Sequence, residues 1–250
     1  MSTITTKPLP GTSIDPRYPD SDGQPMGETH LHVMAIFHLF AALTRFFGNR
    51  DDVYVAADMF LYYEQGNPKA CKAPDVMVVA GVASNHWRRS FRTWEEGVVP
   101  TVVFEVTSPS SRHEDEIAKP RVYAALGVKE YFVFDPDRAE LKSGLAGYRL
   151  EGGVYRPLSP DAAGLLTSQE LGLSFEADYP EADYPLLRVI DVRTGKRLLT
   201  DSERDEQFDE AQRELIAERE LVNAERRRAA ELEAELARLR AAQDRPDPLT

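Results

Sequence analysis

The chain has 250 residues and a formal net charge of −12. Residues 201–250 carry 15 acids and 9 bases, a balance of −6, so residues 1–200 carry the other −6. Because nonspecific nucleic-acid coats depend on excess Lys and Arg, this acidic balance excludes that class. The only cysteine, Cys71, cannot form an internal disulfide, which predicts a reducing compartment such as the cytoplasm. No apolar run reaches the roughly 20 residues that a membrane span requires, so we expect no membrane partner.

The N-terminal third begins with an arm and continues with a helix. Residues 1–26 are rich in Pro, Ser, Thr and Asp, which predicts an extended arm with little core. Apolar residues at spacings of three and four then predict a helix from Glu28 to about Phe47, ended by Gly48. Glu28 lies in its first turn, and His32 lies one turn further on the same face. His30 and His32 point to different sides of a helix, so a shared metal ion is not expected.

Strands dominate the following segment. Runs of β-branched and aromatic residues at 53–57 and 59–63 predict neighbouring antiparallel strands before a third strand that starts at Pro74. After a polar loop at 81–97, a further apolar strand contains Glu105. Ser111 and Glu114 match a capping box, which predicts a helix to about Leu126. The strand that follows at 130–135 implies a parallel crossover.

The second half is β-rich and ends in a long helix. A hairpin at 148–158 and strands at 171–177 and 187–192 complete a predicted α/β domain, residues 27–200, with a mixed β-sheet flanked by helices. Residues 201–243 have long-helix composition, and their apolar residues recur every seven positions, which favours a coiled coil; a solvated single helix is the alternative. Residues 244–250 are expected to form a disordered end.

Two acidic residues lie in or next to apolar strand segments, where carboxylates are uncommon. Asp75 follows Pro74 at the head of an apolar strand, and Glu105 lies inside another one. A buried carboxylate is costly unless a positive group meets it, and a metal ion is a suitable partner. Hard oxygen ligands suit Mg²⁺, with Mn²⁺ as an alternative, and Glu28 could join the pair. On its own, Asp75 would more simply be explained as a strand-end cap.

A lysine near these acids could orient a water molecule or stabilise charge on a phosphate. Thr107 occupies the position on the Glu105 strand where such a lysine would stand. The spacing of Asp115, Lys119 and Tyr123 forms one helical stripe, so Lys119 could reach the site from the helix instead. Pro120 could kink this helix. The simpler alternative is a solvated ion pair between Asp115 and Lys119, with Tyr123 as a core residue or brace.

Several motifs together resemble a known family. They are the pair Pro74-Asp75, the segment Glu105-Val106-Thr107-Ser108, the spacing of Asp115, Lys119 and Tyr123, and the run from Gly127 to Pro136. In order and spacing they resemble the Uma-type putative restriction endonuclease family of the PD-(D/E)XK nuclease superfamily, over residues 25–195. The resemblance implies a restriction-endonuclease-like α/β core, a divalent metal and DNA cleavage. It implies Asp75 and Glu105 as metal-binding acids, Lys119 as a relocated lysine, and Glu28 as a helix-borne acid.

Two functions stay open at this point. The first is a Mg²⁺-dependent endodeoxyribonuclease in which Asp75, Glu105, Lys119 and Glu28 form the active site and DNA is the substrate. The second is a catalytically inactive module that binds nucleic acid or a protein partner. A homodimer through the nuclease-like domain or the C-terminal helix is possible in either case. Seven basic residues could line a local DNA groove, or could simply form a solvated surface: Arg88, Arg89, Arg92, Arg112, Lys119, Arg121 and Lys129.

Overall fold

The chain divides into two compact units, residues 1–200 and residues 201–250. The first unit consists mainly of apolar strands and one amphipathic helix. A computed structural model describes residues 9–12, 15–21, 29–107, 118–181 and 184–243. Helix α1 spans His30–Phe46, and its N-cap Thr29 accepts a hydrogen bond from the backbone of His32. Because the cap satisfies a free amide donor, it fixes where the helix begins. The expected helix is therefore confirmed over its described length.

The main sheet has six strands, in the order β1-β4-β6-β7-β8-β9. Their bounds are Val53–Ala57 for β1, Val76–Ala80 for β4, Val102–Val106 for β6, Glu130–Phe134 for β7, Leu145–Glu151 for β8 and Val154–Pro157 for β9. Strands β6 and β7 are parallel, and the other neighbours are antiparallel. Helix α3, Lys119–Leu126, connects the parallel pair. The mixed sheet and the parallel crossover are thus confirmed.

Two small sheets complete the unit. One has the order β3-β2-β5, with β2 at Leu61–Tyr62, β3 at Cys71–Lys72 and β5 at Phe91–Arg92; the short helix α2, Thr93–Glu96, follows. The other contains β10, Leu166–Ser168, β11, Leu173–Asp178, and β12, Leu186–Asp191. The prediction that the strand at 59–63 neighbours the 53–57 strand was wrong. Asp58 has a φ of 47° and lies between the two, so the chain leaves the main sheet there.

Alternating side chains divide the core between the two faces of the main sheet. Val76 and Phe104 belong to a cluster that includes α1 and the β10–β12 sheet. Met77 and Val103 belong to a second cluster on the opposite face, which includes Tyr123 of α3. Because successive side chains of a strand point to opposite faces, residues two positions apart in one strand lie on the same face of the sheet.

The described parts of the N-terminal arm pack more closely than predicted. Tyr18 is only 5% exposed, and its ring lies 5.2 Å from the ring of Tyr62 and 5.0 Å from that of Trp94. The backbone N–H of Gly11 donates to the Glu95 carboxylate at 3.0 Å. The expectation of little core in this arm was wrong for these residues, because an aromatic side chain in a polar segment can still be buried by distant parts of the chain.

Helix α4, Asp201–Gln243, makes up most of the second unit. Its apolar side chains at the heptad positions Phe208, Leu215, Val222 and Leu236 are exposed. The expected disordered end, residues 244–250, lies outside the described residues. Among the helices in the described part of the chain, none combines the length and apolarity needed to cross a membrane.

Candidate metal and catalytic site

Asp75 and Glu105 lie at facing positions on neighbouring strands. In the antiparallel pair β4–β6, Val76 is opposite Phe104 and Met77 is opposite Val103. Continuing this register by one residue puts Asp75 opposite Glu105. Alternation then gives both carboxylates the same face of the sheet as Met77 and Val103. The two acids therefore share the sheet face that α3 covers.

Glu105 is completely buried, and helix α3 supplies its partners. The ammonium Nζ of Lys119 lies 2.7 Å from Oε2, and the hydroxyl of Tyr123 donates to Oε1 at 2.7 Å. Lys119 and Tyr123 are four residues apart, which stacks them on one side of the helix. A buried carboxylate is tolerated when it has a charged partner and further hydrogen bonds, and Glu105 has both.

Tyr123 is held in its protonated form by its surroundings. Burial raises the pKa of its phenol well above the usual value, and the neighbouring Glu105 carboxylate raises it further. A protonated phenol donates a hydrogen bond, so Tyr123 orients Glu105 at neutral pH.

Only one carboxylate oxygen of Asp75 accepts a hydrogen bond from the described residues. Its Oδ2 accepts the backbone N–H of Val106 at 2.6 Å, so the residue does cap the neighbouring strand. The Nε2 atom of His32 lies 3.4 Å from the same oxygen. No residue of the described ranges donates a hydrogen bond to Oδ1. Asp75 is buried, with 8% of its surface exposed.

The other predicted site residues are only partly brought together. Thr107 lies two residues beyond Glu105, and its backbone N–H donates to Phe134. Pro120 is the second residue of α3, where a missing N–H costs no helical hydrogen bond, so the described helix is not kinked by it. Glu28, Ser108 and Asp115 lie outside the described residues.

His32 is the site residue that the sequence did not single out. It is 4% exposed and meets Asp75, whereas His30 packs near the ring of Tyr184, 6.5 Å between centroids. The available signal was its position four residues after Glu28, within a helix predicted to begin at Glu28. That signal predicts the direction of the side chain but not the long-range contact with Asp75.

Several of the cations that could line a groove have acidic partners. Arg88 is bound to Glu96 at 2.7 Å with both side chains almost fully buried, and Arg92 is bound to Glu95 at 3.0 Å. Two more exposed cations are paired, Arg89 with Asp20 at 2.7 Å and Lys129 with Glu170 at 2.9 Å. Arg121 is exposed, and Arg112 lies outside the described residues, so the groove stays a prediction.

The described acids fit a hydrated divalent cation. Within the described ranges, no group of three or more His, Cys, Asp and Glu side chains is arranged to hold a metal. Mg²⁺ commonly needs only one or two carboxylates, and water and substrate phosphates complete its shell. Asp75 and the facing Glu105 are two such carboxylates, although both Glu105 oxygens accept hydrogen bonds from Lys119 and Tyr123. Carboxylate oxygens are the ligand type that Mg²⁺ and Mn²⁺ prefer, whereas structural zinc is bound mainly by Cys and His.

Comparison with known proteins gives a family assignment. No curated protein matches the chain. Among solved structures, the chain is similar to a putative nuclease belonging to DUF820 from Anabaena variabilis ATCC 29413, at 14% identity and a TM-score of 0.44, over 60% of this chain and 80% of that one. The sequence profile of the Uma2 family, described as "Putative restriction endonuclease", matches residues 9–180. The protein belongs to the Uma2 family of restriction-endonuclease-like proteins.

Proposed function

We propose that this protein is a divalent-metal-dependent endonuclease that hydrolyses phosphodiester bonds in DNA, with Mg²⁺ or Mn²⁺ as its cofactor. The observation that carries this proposal is the pair of facing acids, Asp75 and Glu105, with the ammonium of Lys119 2.7 Å from Glu105. Family membership supports nuclease chemistry, and the two carboxylates support a hard cation.

Each residue has a distinct part in the proposed reaction. Asp75 and Glu105 would hold the cation, and Glu28, one residue before the N-cap of α1, would assist as a third acid. When bound, a divalent cation offsets charge on the nonbridging phosphate oxygens and makes a bound water more acidic. Lys119 keeps a positive charge beside Glu105, where negative charge on the phosphate develops in the transition state. Tyr123 is a positioning residue that fixes Glu105.

The proposal includes the setting in which the enzyme acts. The lone cysteine supports a reducing compartment such as the cytoplasm. The exposed heptad residues of α4 support a homodimer formed through this helix, and contact through the nuclease-like domain is the alternative.

Plasmid cleavage tests the proposed activity. Purified protein is incubated with supercoiled plasmid and Mg²⁺ or Mn²⁺, and nicked and linear products are quantified against an EDTA control. The variants Asp75→Asn and Glu105→Gln keep the size of each side chain while removing its charge. We expect both to lose at least about 100-fold in rate, since each removes a proposed metal ligand. Asp52→Asn, an exposed acid paired with Arg50, is the matched control and should cleave normally. Activity that survives both site substitutions would refute the proposed site.

A second candidate function is a noncatalytic module that binds nucleic acid or a protein partner. Two observations favour it: both Glu105 oxygens already have protein partners, and Thr107 stands where a strand lysine would orient water. The same experiment separates the candidates. Binding of DNA without cleavage at any metal concentration supports the module, whereas metal-dependent cleavage that is lost in Asp75→Asn supports the enzyme.

A further inference from the structure

A pocket of about 310 Å³ opens beside the candidate site. It is lined mainly by Thr107, Pro120, Tyr131, Leu141, Tyr148 and Tyr155. Two of these connect it to the site through the chain, because Thr107 follows Glu105 by two residues and Pro120 follows Lys119. Tyr131 also packs against Tyr123, with 5.8 Å between ring centroids. The pocket and the proposed catalytic residues therefore share one face of the sheet.

Three tyrosines on three adjacent strands form the aromatic side of this pocket. Tyr131 of β7 is directly opposite Tyr148 of β8, and their rings are 6.0 Å apart and 25° from parallel. The ring of Tyr155, on β9, lies 5.8 Å from that of Tyr131 at 33°. Its hydroxyl donates to the backbone carbonyl of Val128 at 2.9 Å, which fixes the ring. Tyr131 is 1% exposed and forms the floor, and the half-buried rings of Tyr148 and Tyr155 form the walls.

The polar groups of the pocket select a flat, uncharged ligand. Its described lining is made of apolar, aromatic and hydroxyl side chains, without an acidic or basic one. The hydroxyls of Thr107 and Tyr148 form no hydrogen bond within the described ranges, and each can both donate and accept. A nucleobase matches this lining, since it has an aromatic face for stacking on a tyrosine ring and a polar edge for the Thr107 hydroxyl. The volume is at the low end of ligand pockets, which suits one base and not a base pair.

We propose that this pocket takes up one unpaired base of the nucleic-acid substrate, next to the phosphate that is cut. The proposal rests on the proposed nuclease function, which brings a polynucleotide to this face of the sheet. A base in a duplex must leave its stack before it can enter, so the protein prefers single strands or locally unpaired sites. Tyr148 acts as a specificity-determining residue, because its ring stacks on the base while the hydroxyl of Thr107 reads the base edge.

Binding without cleavage tests the pocket separately from catalysis. The full-length protein is titrated in EDTA with a fluorescein-labelled single-stranded oligonucleotide, and with the same sequence as a duplex. We expect tighter binding of the single strand, and a loss of about 5- to 100-fold for Tyr148→Ala, as stacking of one base implies. Tyr148→Phe keeps the ring and should lose less than Tyr148→Ala. Tyr63→Ala, a half-buried tyrosine outside the pocket, is the matched control and should bind normally.

A second readout reports the stacked base itself. An oligonucleotide with 2-aminopurine in place of one base should lose fluorescence when it binds the wild-type protein. The decrease should be much smaller when it binds Tyr148→Ala. Equal circular dichroism spectra of the two proteins would show that the variant is folded. Single-strand affinity of Tyr148→Ala within twofold of wild type, or equal affinity for duplex and single strand, would overturn the pocket proposal. If the wild-type protein shows the quenching but never cleaves DNA with metal, the pocket proposal stands and the nuclease proposal falls. If the wild-type protein cleaves DNA with metal, and Tyr148→Ala binds and cleaves DNA equally well, the nuclease proposal stands and the pocket proposal falls.

Discussion

Replacing Lys119 by methionine removes the positive charge that faces the Glu105 carboxylate. Glu105 is 0% exposed and Lys119 is 9% exposed, and the ion pair between them spans 2.7 Å. Without Lys119, the Glu105 carboxylate stays in the core but loses its cationic partner, while the Tyr123 hydroxyl still donates to it. Removing one partner of a buried pair costs about 3–5 kcal/mol, because the remaining charge is uncompensated. We expect a loss of this size in the free energy of unfolding for Lys119→Met.

Urea unfolding followed by tryptophan fluorescence measures this loss in the unit formed by residues 1–200. Both tryptophans, Trp87 and Trp94, belong to residues 1–200, so the signal does not report on α4. The double variant Lys119→Met/Glu105→Gln removes both charges and should regain most of the stability. Lys129→Met is the control, because its pair with Glu170 is 60% and 32% exposed and should contribute no more than about 1 kcal/mol. Equal losses for Lys119→Met and Lys129→Met would refute the reasoning.

Three further predictions follow from single features. Tyr123→Phe should lower the free energy of unfolding by about 1.5–3 kcal/mol, because a hydrogen bond to a buried charge is lost; no change in urea unfolding would contradict this. Burial raises the pKa of Cys71 to about 11 from an ordinary value of 9.0, so its reaction with a disulfide reagent at pH 8 should be about 10-fold slower in the native protein than in urea, because the loss of thiolate outweighs the higher nucleophilicity of each thiolate. Deleting 201–250 should lower the mass seen by light scattering to about two fifths if α4 forms a dimeric coiled coil, since a dimer of 250-residue chains becomes a monomer of 200 residues; a fall of only about one fifth, the share of the deleted residues, would rule out that role.

The local elements of the fold could be predicted because their signals lie within short segments. The 3- and 4-residue spacing in α1 and the apolar runs of β4, β6 and β7 are visible in the sequence alone. The helix between β6 and β7 implies a parallel pair, since a parallel connection needs a crossover. The partner of β2 could not be predicted, because it depends on the turn at Asp58 and on pairing with β5 about 30 residues away.

The candidate site shows the same division between local and long-range information. Apolar neighbours marked Glu105 as a buried acid, and spacing on one helix put Lys119 and Tyr123 on a common side. The contact between His32 and Asp75 joins residues 43 positions apart, so no local pattern contains it. The possible basic groove also depends on contacts that a count of charges does not contain. Counting cations ignores their acidic partners, and Arg88 is bound to Glu96 only eight residues away.

Binding of Mn²⁺ tests the central claim, that Asp75 and Glu105 form a divalent-metal site. In electron paramagnetic resonance, hydrated Mn²⁺ gives a six-line signal that weakens when the ion binds protein. In the presence of a single-stranded oligonucleotide, we predict that the wild-type protein reduces this signal, while Asp75→Asn and Glu105→Gln leave more of it free. Equal reduction of the signal by the wild-type protein and both variants would contradict the claim.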